Sequence, residues 1–203
     1  VQTCALPIFL LRFSFYCFRT TLFQRILYIS KSVKGVSIKE KIEETEGETP
    51  YYTLNYIFKK AITVKQGQTF VDLGCGKGKP SIFMSRGIQT NSIGIDINNL
   101  KIKAAKNFIE KTNLQKKGIN CLFKTENIQD TDISQADIVY LPWTCLLENT
   151  VEKISLNCLT MKPGATLITT SFPLTSSAFT IEQELKLFFS WGIGHVYIHK
   201  KNR

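Results

Sequence analysis

The sequence has few of the residues that build metal centres or disulfide frameworks. Its six cysteines lie at positions 4, 17, 75, 121, 145 and 158, and no two of them form a Cys-x-x-Cys pair. The only two histidines, His195 and His199, stand four residues apart and no cysteine or acidic cluster joins them. We predict that both lie on the surface of an edge strand and that the protein binds no metal. The cysteine pattern indicates a reduced, cytoplasmic protein.

A dense basic block is absent as well. The formal net charge is +10, but 21 of the 26 basic residues are lysines, and these are spread from Lys31 to Lys201. A nucleic-acid footprint is a clustered patch of positive charge. Nucleic acid is therefore a partner that the composition allows but does not favour.

No long apolar run is free of charge. Residues 9–29 are apolar and aromatic, yet they contain Arg12, Arg19 and Arg25. An arginine near the centre of a bilayer costs about 2.5–3.5 kcal/mol, which argues against a membrane-spanning helix. Three interpretations stay open: a peripheral helix at a membrane surface, a helical cap on the main domain, or sequence that is not natural protein. The last two are favoured over the first.

Residues 1–8 match the in-frame translation of a common sequencing-library adapter, and they are left out of the fold prediction. No methionine precedes Met84, so we expect the natural start to be missing. The remaining chain divides into an apolar, basic helix with a linker over residues 9–48 and a main domain over residues 49–203. A domain of this size buries one core, and we expect a monomer.

The main domain alternates strands with helices, which is typical of a parallel sheet with crossover helices. Thr49-Pro50 predicts a helix start with Thr49 as the N-cap. In the helix after the second strand, an apolar stripe is predicted to face the sheet: Leu100, Ala104, Ala105, Phe108 and Ile109. Residues 185–198 alternate as a hairpin that turns at residues 191–194.

These patterns together predict an α/β fold. It is a Rossmann-like three-layer sandwich with a mostly parallel seven-stranded sheet and a C-terminal antiparallel hairpin, preceded by an N-terminal helical extension.

A glycine-rich turn joins the first strand to the next helix at Asp72-Leu73-Gly74-Cys75-Gly76-Lys77-Gly78. Such a turn lets the backbone approach a ligand closely. Lys79 stands where a dinucleotide-binding loop would have its third glycine. The leading carboxylate of Asp72 suits an ammonium group and suits a pyrophosphate badly. Cys75 is interpreted as a small residue in a tight loop and not as a nucleophile.

Asp96 ends the second strand, 24 residues after Asp72. An acidic side chain at this position can accept hydrogen bonds from both ribose hydroxyls of a nucleoside. The alternative is that Asp96 only caps the helix that begins near Leu100. The glycine loop and Asp96 together favour S-adenosylmethionine over a nicotinamide dinucleotide.

Residues 70–78 resemble the first motif of class I S-adenosylmethionine-dependent methyltransferases, and residues 93–96 resemble the second. The resemblance implies S-adenosylmethionine as the cofactor. Its methionine part would lie on Gly74, Cys75, Gly76 and Gly78, and its ribose at Asp96 beside Ile97. The adenine amine would contact Asn127 beside Ile128, although the family has an acidic residue where this chain has Asn127.

Gly47-Glu48-Thr49-Pro50 is loosely similar to a Gly-Glu element of Dot1-like lysine methyltransferases, in which the chain folds over the cofactor. That similarity implies Glu48 and Thr49 as further cofactor contacts. The alternative is a plain linker followed by a helix cap.

The methyl acceptor is expected where the fourth strand ends, at Tyr140, Trp143 and Thr144. Methyl transfer from a sulfonium needs positioning and sometimes a base. Trp143 can stack on a planar or cationic acceptor, and Tyr140 or Thr144 can form a hydrogen bond with it; Trp143 also fits a packing role. Ser171-Phe172-Pro173 is a second candidate rim of the acceptor site.

The segment after the fourth strand lacks the Asp or Asn of nucleobase amino methyltransferases, so a protein lysine or a small molecule is favoured over DNA or RNA. The alternative is a cofactor-binding module, or a degenerate enzyme without turnover. Two departures from the family patterns would support it: Asn127, and Glu46, which stands where a Tyr usually precedes the Gly-Glu element.

Overall fold

The computed structural model of the protein describes residues 47–114, 118, 120–143 and 148–203. The adapter-like residues, the predicted helix over 9–29 and Thr144 lie outside them. The strands are β1 Thr69–Leu73, β2 Asn91–Asp96, β3 Cys121–Thr125, β4 Ile138–Leu141, β5 Thr166–Thr170, β6 Phe179–Phe189 and β7 Gly192–Lys201. The helices are α1 Tyr51–Tyr56, which continues as a π-helical turn over Ile57–Ala61, α2 Lys79–Ile88, α3 Asn99–Lys111 and α4 Glu148–Cys158.

The described strands form one sheet in the order β3-β2-β1-β4-β5-β7-β6. Strands β1 to β5 run parallel, while β7 pairs antiparallel with both β5 and β6. The predicted Rossmann-like sheet with a C-terminal hairpin is therefore confirmed. Because the strand order reverses between β1 and β4, a crevice opens at their carboxyl ends, where α/β proteins bind ligands.

The central strands are buried on both faces, as expected for a parallel sheet covered by helices. Alternate residues of β1 belong to different apolar clusters: Val71 packs in the cluster that contains Ile154 of α4, and Phe70 packs in the cluster that contains Phe58 of the π-helical turn. The rings of Phe58 and Phe70 meet edge to face at 5.3 Å. This period of two fixes which side chains of β1 and β4 reach each layer.

Helix α1 begins after Pro50, but Thr49 does not cap it. No side chain caps this helix, and the Thr49 hydroxyl instead forms a 2.8 Å hydrogen bond with the Tyr140 hydroxyl. The capping prediction is therefore wrong. The Thr49 hydroxyl is bonded to a residue 91 positions away instead of to the first turn of the helix. Helix propensity depends on neighbouring residues and does not predict such a contact.

The apolar stripe predicted for α3 is only partly correct. Ala105 and Ile109 face the sheet as expected, and Ile102 joins them in the buried face. Ala104, Leu100 and Phe108 are exposed. The buried face follows the spacing i, i+3 and i+7 from Ile102, one of the registers that a helical period allows.

The hairpin places β7 inside the sheet, between β5 and β6. The prediction that both histidines lie on the surface of an edge strand is therefore wrong. His199 is fully buried, and only His195 keeps an exposed part, where its Nδ1 lies 2.7 Å from Glu184 Oε1. Among residues 47–203, as far as the structure describes them, no helix has the length and hydropathy needed to cross a bilayer.

Candidate active site

The loop between β1 and α2 is shaped by three glycines in the left-handed region. The φ angles of Gly74, Gly76 and Gly78 are +81°, +54° and +79°, which glycine adopts without the strain of a side chain. The N–H groups of Gly74 and Cys75 both donate to the Ile95 carbonyl at 2.8 Å. The loop is thereby held against β2.

These glycines differ in what surrounds them. A Cβ atom on Gly74 or Gly76 would meet open space, whereas one on Gly78 would lie 2.3 Å from Cζ of Phe123. The first two glycines therefore leave the outer side of the loop open to a ligand. Gly78 is instead required by the close approach of the Phe123 ring.

Asp72 is fully buried at the base of this loop. Ser81 of α2 donates a 2.7 Å hydrogen bond to Oδ2, while Oδ1 is buried without a partner among the described residues. Burial raises the pKa of this carboxyl to about 7. A buried hydrogen-bond acceptor without a donor destabilises the folded protein by roughly 1–3 kcal/mol, and by more if it is charged. A ligand that donates a hydrogen bond to Oδ1 would remove this cost.

Asp96 connects the loop to the end of β2. Its Oδ2 accepts from the Gly76 N–H and its Oδ1 from the Asn98 N–H, both at 2.8 Å. The cap of α3 is Asn98, whose Oδ1 accepts from the first turn of the helix. Asp96 is therefore not the helix cap, and each of its oxygens keeps a second lone pair for a ligand. The neighbouring Ile97 is 72% exposed.

The Cys75 thiol between the glycines is buried and donates towards the Gly76 carbonyl. Burial, together with the nearby carboxylates of Asp72 and Asp96, raises the pKa of the thiol far above its usual range. A thiol held protonated is a poor nucleophile. This fits the interpretation of Cys75 as a small loop residue.

Residues 47–50 form a strap, here called the N-terminal strap, between the glycine loop and the β6–β7 turn. The backbone of Glu48 pairs with Ser190, donating to its Oγ at 2.9 Å and accepting from its N–H at 3.1 Å. The Glu48 carboxylate lies 3.1 Å from Nζ of Lys79, the first residue of α2. A Cβ atom on Gly47 would lie 2.4 Å from the Trp191 ring. The plain-linker interpretation does not account for these contacts.

The segment that follows β3 lies beside Asp96. Its link is a backbone hydrogen bond in which Glu126 donates to the Asp96 carbonyl at 3.2 Å. Asn127 is half-buried, and its Oδ1 accepts from the Gln129 N–H at 3.0 Å. Ile128 packs partly against the core. The positions that the sequence assigned to ribose and adenine are therefore neighbours at adjacent strand ends.

Trp143, just after β4, is only 4% exposed. Its Nε1 donates to the Phe172 carbonyl at 2.8 Å, and the same carbonyl accepts from Thr169 Oγ1 at 2.7 Å. Leu174 packs in the same apolar cluster. The indole N–H therefore already has a partner, which favours the packing role that the sequence left open for Trp143.

Tyr140 is also enclosed by protein. It is fully buried, its hydroxyl bonds with Thr49, and its ring meets that of Phe58 edge to face at 5.7 Å. Burial raises the pKa of the phenol above its usual range. The structure thus gives Tyr140 a partner in the N-terminal strap.

An open pocket of about 320 Å³ lies where β4 and β5 end, beside Trp143. We call it the acceptor-side pocket, and it is lined by Trp143, Val151, Ser155, Phe172, Pro173, Leu174 and Thr175. Sequence reasoning found Trp143, Phe172 and Pro173. It missed Leu174, Thr175 and the two α4 residues, as well as Trp191 under the N-terminal strap, because no motif marks them.

Comparison with known protein families identifies the domain. The family model described as a methyltransferase domain matches residues 64–192, more than half of the chain. The chain belongs to the methyltransferase domain family. With the seven-stranded fold, this methyltransferase is class I and its cofactor is S-adenosylmethionine. No match to a curated protein was found.

Proteins of known structure that share this fold act on different substrates. An RNA methyltransferase from Salinibacter ruber in complex with S-adenosyl-L-homocysteine is 20% identical, with a TM-score of 0.64 over 76% of this chain and 94% of that one. A geranyl diphosphate C-methyltransferase from Streptomyces coelicolor is 10% identical, with a TM-score of 0.59 over 75% and 79%. The [4+2]-cyclase SpnF is 13% identical, with a TM-score of 0.57 over 68% and 77%. At such identities the likeness concerns the fold alone.

Proposed function

We propose that this methyltransferase transfers the methyl group of S-adenosylmethionine to an amine of a protein lysine or a small molecule, bound in the acceptor-side pocket. The observation that carries this proposal is the lining of the pocket. The described residues of this lining are apolar, aromatic and hydroxyl side chains, and none of them is charged. Such a lining suits an apolar substrate and offers a phosphate no positive charge.

The residues at the crevice fit the cofactor. The unpartnered Oδ1 of Asp72 can accept from the ammonium of the methionine part, and the open sides of Gly74 and Gly76 leave room for its backbone-like atoms. The free lone pairs of Asp96 suit the ribose hydroxyls. The exposed side chain of Ile97 suits one face of the adenine. Asn127 would contact the adenine amine, and the N-terminal strap would cover the methionine part.

The bound cofactor supplies an electrophilic methyl group on a sulfonium. On transfer, the acceptor nitrogen would bond to the methyl carbon as the carbon–sulfur bond breaks, and the sulfur would keep that electron pair. The amine must attack as its free base. The described lining of the acceptor-side pocket has no titratable side chain, so the protein would assist by desolvating the amine, which lowers the pKa of an ammonium group.

Nucleic acid is a second candidate acceptor, supported by an uneven charge distribution. Although there is no dense basic block, residues 101–124 contain seven lysines and one glutamate, while residues 125–152 contain six acidic residues and no lysine or arginine. Four of these lysines belong to α3 and one to β3. This side of the domain could attract a phosphate backbone.

The [4+2]-cyclase SpnF has the same fold. A third candidate function is therefore cofactor binding without methyl transfer. One experiment separates the three. The protein is incubated with methyl-radiolabelled S-adenosylmethionine and a cell lysate, and the label is counted in protein, small-molecule and nucleic-acid fractions. We expect label in the first or second fraction. Label that nuclease releases would support nucleic acid instead, and cofactor binding without any label would contradict the enzyme.

A matched pair of variants tests the pocket itself. Phe172 and Ile193 are exposed to similar extents, 62% and 66%, but only Phe172 lines the acceptor-side pocket. We expect Phe172→Ala to reduce label incorporation about tenfold without changing the dissociation constant of S-adenosylhomocysteine, since a lost hydrophobic contact of this size is worth roughly 1–3 kcal/mol. Ile193→Ala should change neither. Equal losses in both variants would count against this pocket as the acceptor site.

A further inference from the structure

The chain turns over the acceptor-side pocket in the segment 171–175, which we call the β5 loop. Ser171 adopts a φ of +70°, an unfavourable angle for a residue with a side chain, and its N–H donates to the His195 carbonyl at 2.9 Å. The Phe172 carbonyl is held by Trp143 and Thr169, as described above. The loop therefore depends on hydrogen bonds from neighbouring elements for its conformation.

A further bond to this loop comes from the buried His199. Its Nε2 accepts from the Leu174 N–H at 3.0 Å, and its Nδ1 lies 3.2 Å from the Leu167 carbonyl of β5. A carbonyl can only accept, so Nδ1 carries the hydrogen, and a backbone N–H can only donate, so Nε2 carries none. Both contacts are satisfied by one state of the ring: the neutral imidazole with its proton on Nδ1.

We propose that His199 is the positioning residue of the acceptor-side pocket: its neutral ring holds the Leu174 backbone, and with it the pocket wall at residues 172–175, against β5 and β7. Protonation would place a second N–H on Nε2, facing the Leu174 N–H, and would release this wall. The proposal rests on the proposed function only in naming the pocket as the acceptor site. The connection between His199 and the β5 loop stands on its own geometry.

The surroundings of His199 oppose its protonation. Phe179 of β6 meets the ring edge to face at 6.4 Å, and Tyr197 lies 6.4 Å away on the same strand. Burial lowers the pKa of His199 below its usual value of 6.5. The charged and titratable groups described on the side chains next to it are Lys201, which lies over the Phe179 ring, and Tyr197 with Glu184 beside it. No carboxylate is described in contact with the ring.

The test uses a tryptophan already in the pocket wall. Trp143 and Trp191 are the only tryptophans of the chain, so Trp191→Phe leaves Trp143 as a single fluorescent probe bonded to the β5 loop. Acrylamide quenching is measured from pH 8 down to the lowest pH at which circular dichroism shows the protein folded. Acrylamide is used because a neutral quencher does not respond to the changing protein charge. We expect the quenching constant of Trp143 to rise at least twofold, with a midpoint below pH 6.5. No acceptor is needed, so the outcome does not depend on the proposed function.

Two variants at position 199 separate positioning from mere packing. His199→Gln keeps an acceptor for the Leu174 N–H but does not titrate, so quenching should stay low at every pH. His199→Phe keeps the volume but loses both bonds, so quenching should be high even at pH 8. Circular dichroism confirms that each variant is folded; if His199→Phe is not, the comparison of His199→Gln with the parent still decides.

A quenching constant that does not change with pH in the parent, or one that rises equally in His199→Gln, would overturn the proposal. Asp72 also titrates in this range, with a pKa of about 7. The rise must therefore persist in Asp72→Asn, and its disappearance there would assign the effect to Asp72 and overturn the role of His199.

Discussion

The cofactor side of the crevice and its acceptor side are built differently. Within the glycine loop of the cofactor side, contacts join residues close in sequence: Ser81 contacts Asp72 nine positions away, and Asp96 contacts Gly76 twenty positions away. The N-terminal strap beside this loop is instead held from far along the chain, by Ser190 at 142 positions from Glu48. On the acceptor side, Trp143 reaches Phe172 and His199 reaches Leu174 across 29 and 25 positions. On the cofactor side, glycines and a carboxylate set the path of the backbone around the proposed cofactor site. On the acceptor side, Trp143 and Leu174 belong to an apolar cluster of the core.

A substitution at Gly78 should have the largest effect on the cofactor side. Gly78→Ala adds a Cβ atom 2.3 Å from the Phe123 ring at a φ of +79°. Backbone strain of this kind costs on the order of 1–3 kcal/mol before the clash is counted, so we expect S-adenosylhomocysteine binding to weaken about 100-fold in calorimetry.

Gly87→Ala is the matched control. Gly87 lies in α2, and the atoms nearest to an added Cβ are those of Lys59 at 3.9 Å. An alanine inside a helix should stabilise the protein by about 0.5–1 kcal/mol and leave cofactor binding unchanged. Weakened binding in both variants would show that the site tolerates no change in this region and would remove the special role of Gly78.

Asp96→Ala should have the next largest effect. It removes the acceptors of the Gly76 and Asn98 N–H groups as well as the proposed ribose contact. Hydrogen bonds to charged groups contribute roughly 1.5–3 kcal/mol each, so we expect cofactor affinity to fall about 30-fold. Asp132→Ala removes an exposed carboxylate that bonds only with Ser134 in its own loop and should not alter affinity. Unchanged affinity in Asp96→Ala would contradict the cofactor site.

Cofactor binding should also depend on pH, through the buried carboxyl of Asp72. Asp72 has a pKa of about 7 in the folded protein and 3.8 in an ordinary setting. In the free protein, its favourable contribution to stability is therefore complete below pH 3.8 and is lost as the pH rises through 7. An ammonium on Oδ1 favours the carboxylate instead, so cofactor binding should release a proton near pH 6 and weaken about tenfold between pH 8 and pH 6.

Calorimetry in buffers of different ionisation enthalpy measures this proton release. Asp72→Asn keeps the shape of the side chain but cannot titrate, so its weaker binding should not vary over the same pH range. A proton release that persists in Asp72→Asn would assign the effect to another group.

The smallest expected effect concerns the bond between Thr49 and Tyr140. Thr49→Val and Tyr140→Phe each remove one hydroxyl of the pair, and each should lower the free energy of unfolding by about 1 kcal/mol. If the two hydroxyls act through each other, the double variant should lose little more than either single one in urea denaturation. Strictly additive losses would mean that the bond contributes nothing by itself.

The sequence predicted the cofactor side better than the acceptor side, and the physical reason is visible in particular residues. Gly74, Gly76 and Gly78 all have a positive φ. Because glycine is the residue that adopts such angles without strain, the loop has a glycine pattern that can be recognised in the sequence. The succession of strands and helices along the chain also followed from the alternation of apolar segments with helical ones. Helix α2 begins at Lys79, a start that Pro80 and the preceding glycine loop mark in the sequence.

The predictions that were wrong concern contacts between distant residues. Thr49 looked like a helix cap because Thr-Pro often begins a helix, but a buried phenol 91 residues away uses its hydroxyl instead. His199 looked like a surface residue because the order of the last two strands in the sheet cannot be read from their alternation. The β5 loop has no motif, since its position depends on Trp143, Thr169 and His199 together.

The pairing of Glu48 with Ser190 joins residues 142 positions apart. During synthesis on a ribosome, the glycine loop and the first three strands are complete long before this pair can form. Contacts of such high sequence separation also form late in refolding, because a long loop must close first. A nascent or C-terminally shortened chain would therefore contain the glycine loop without the partner that holds the N-terminal strap beside it. Retention of S-adenosylmethionine by the chain would then indicate that the β6–β7 hairpin has formed.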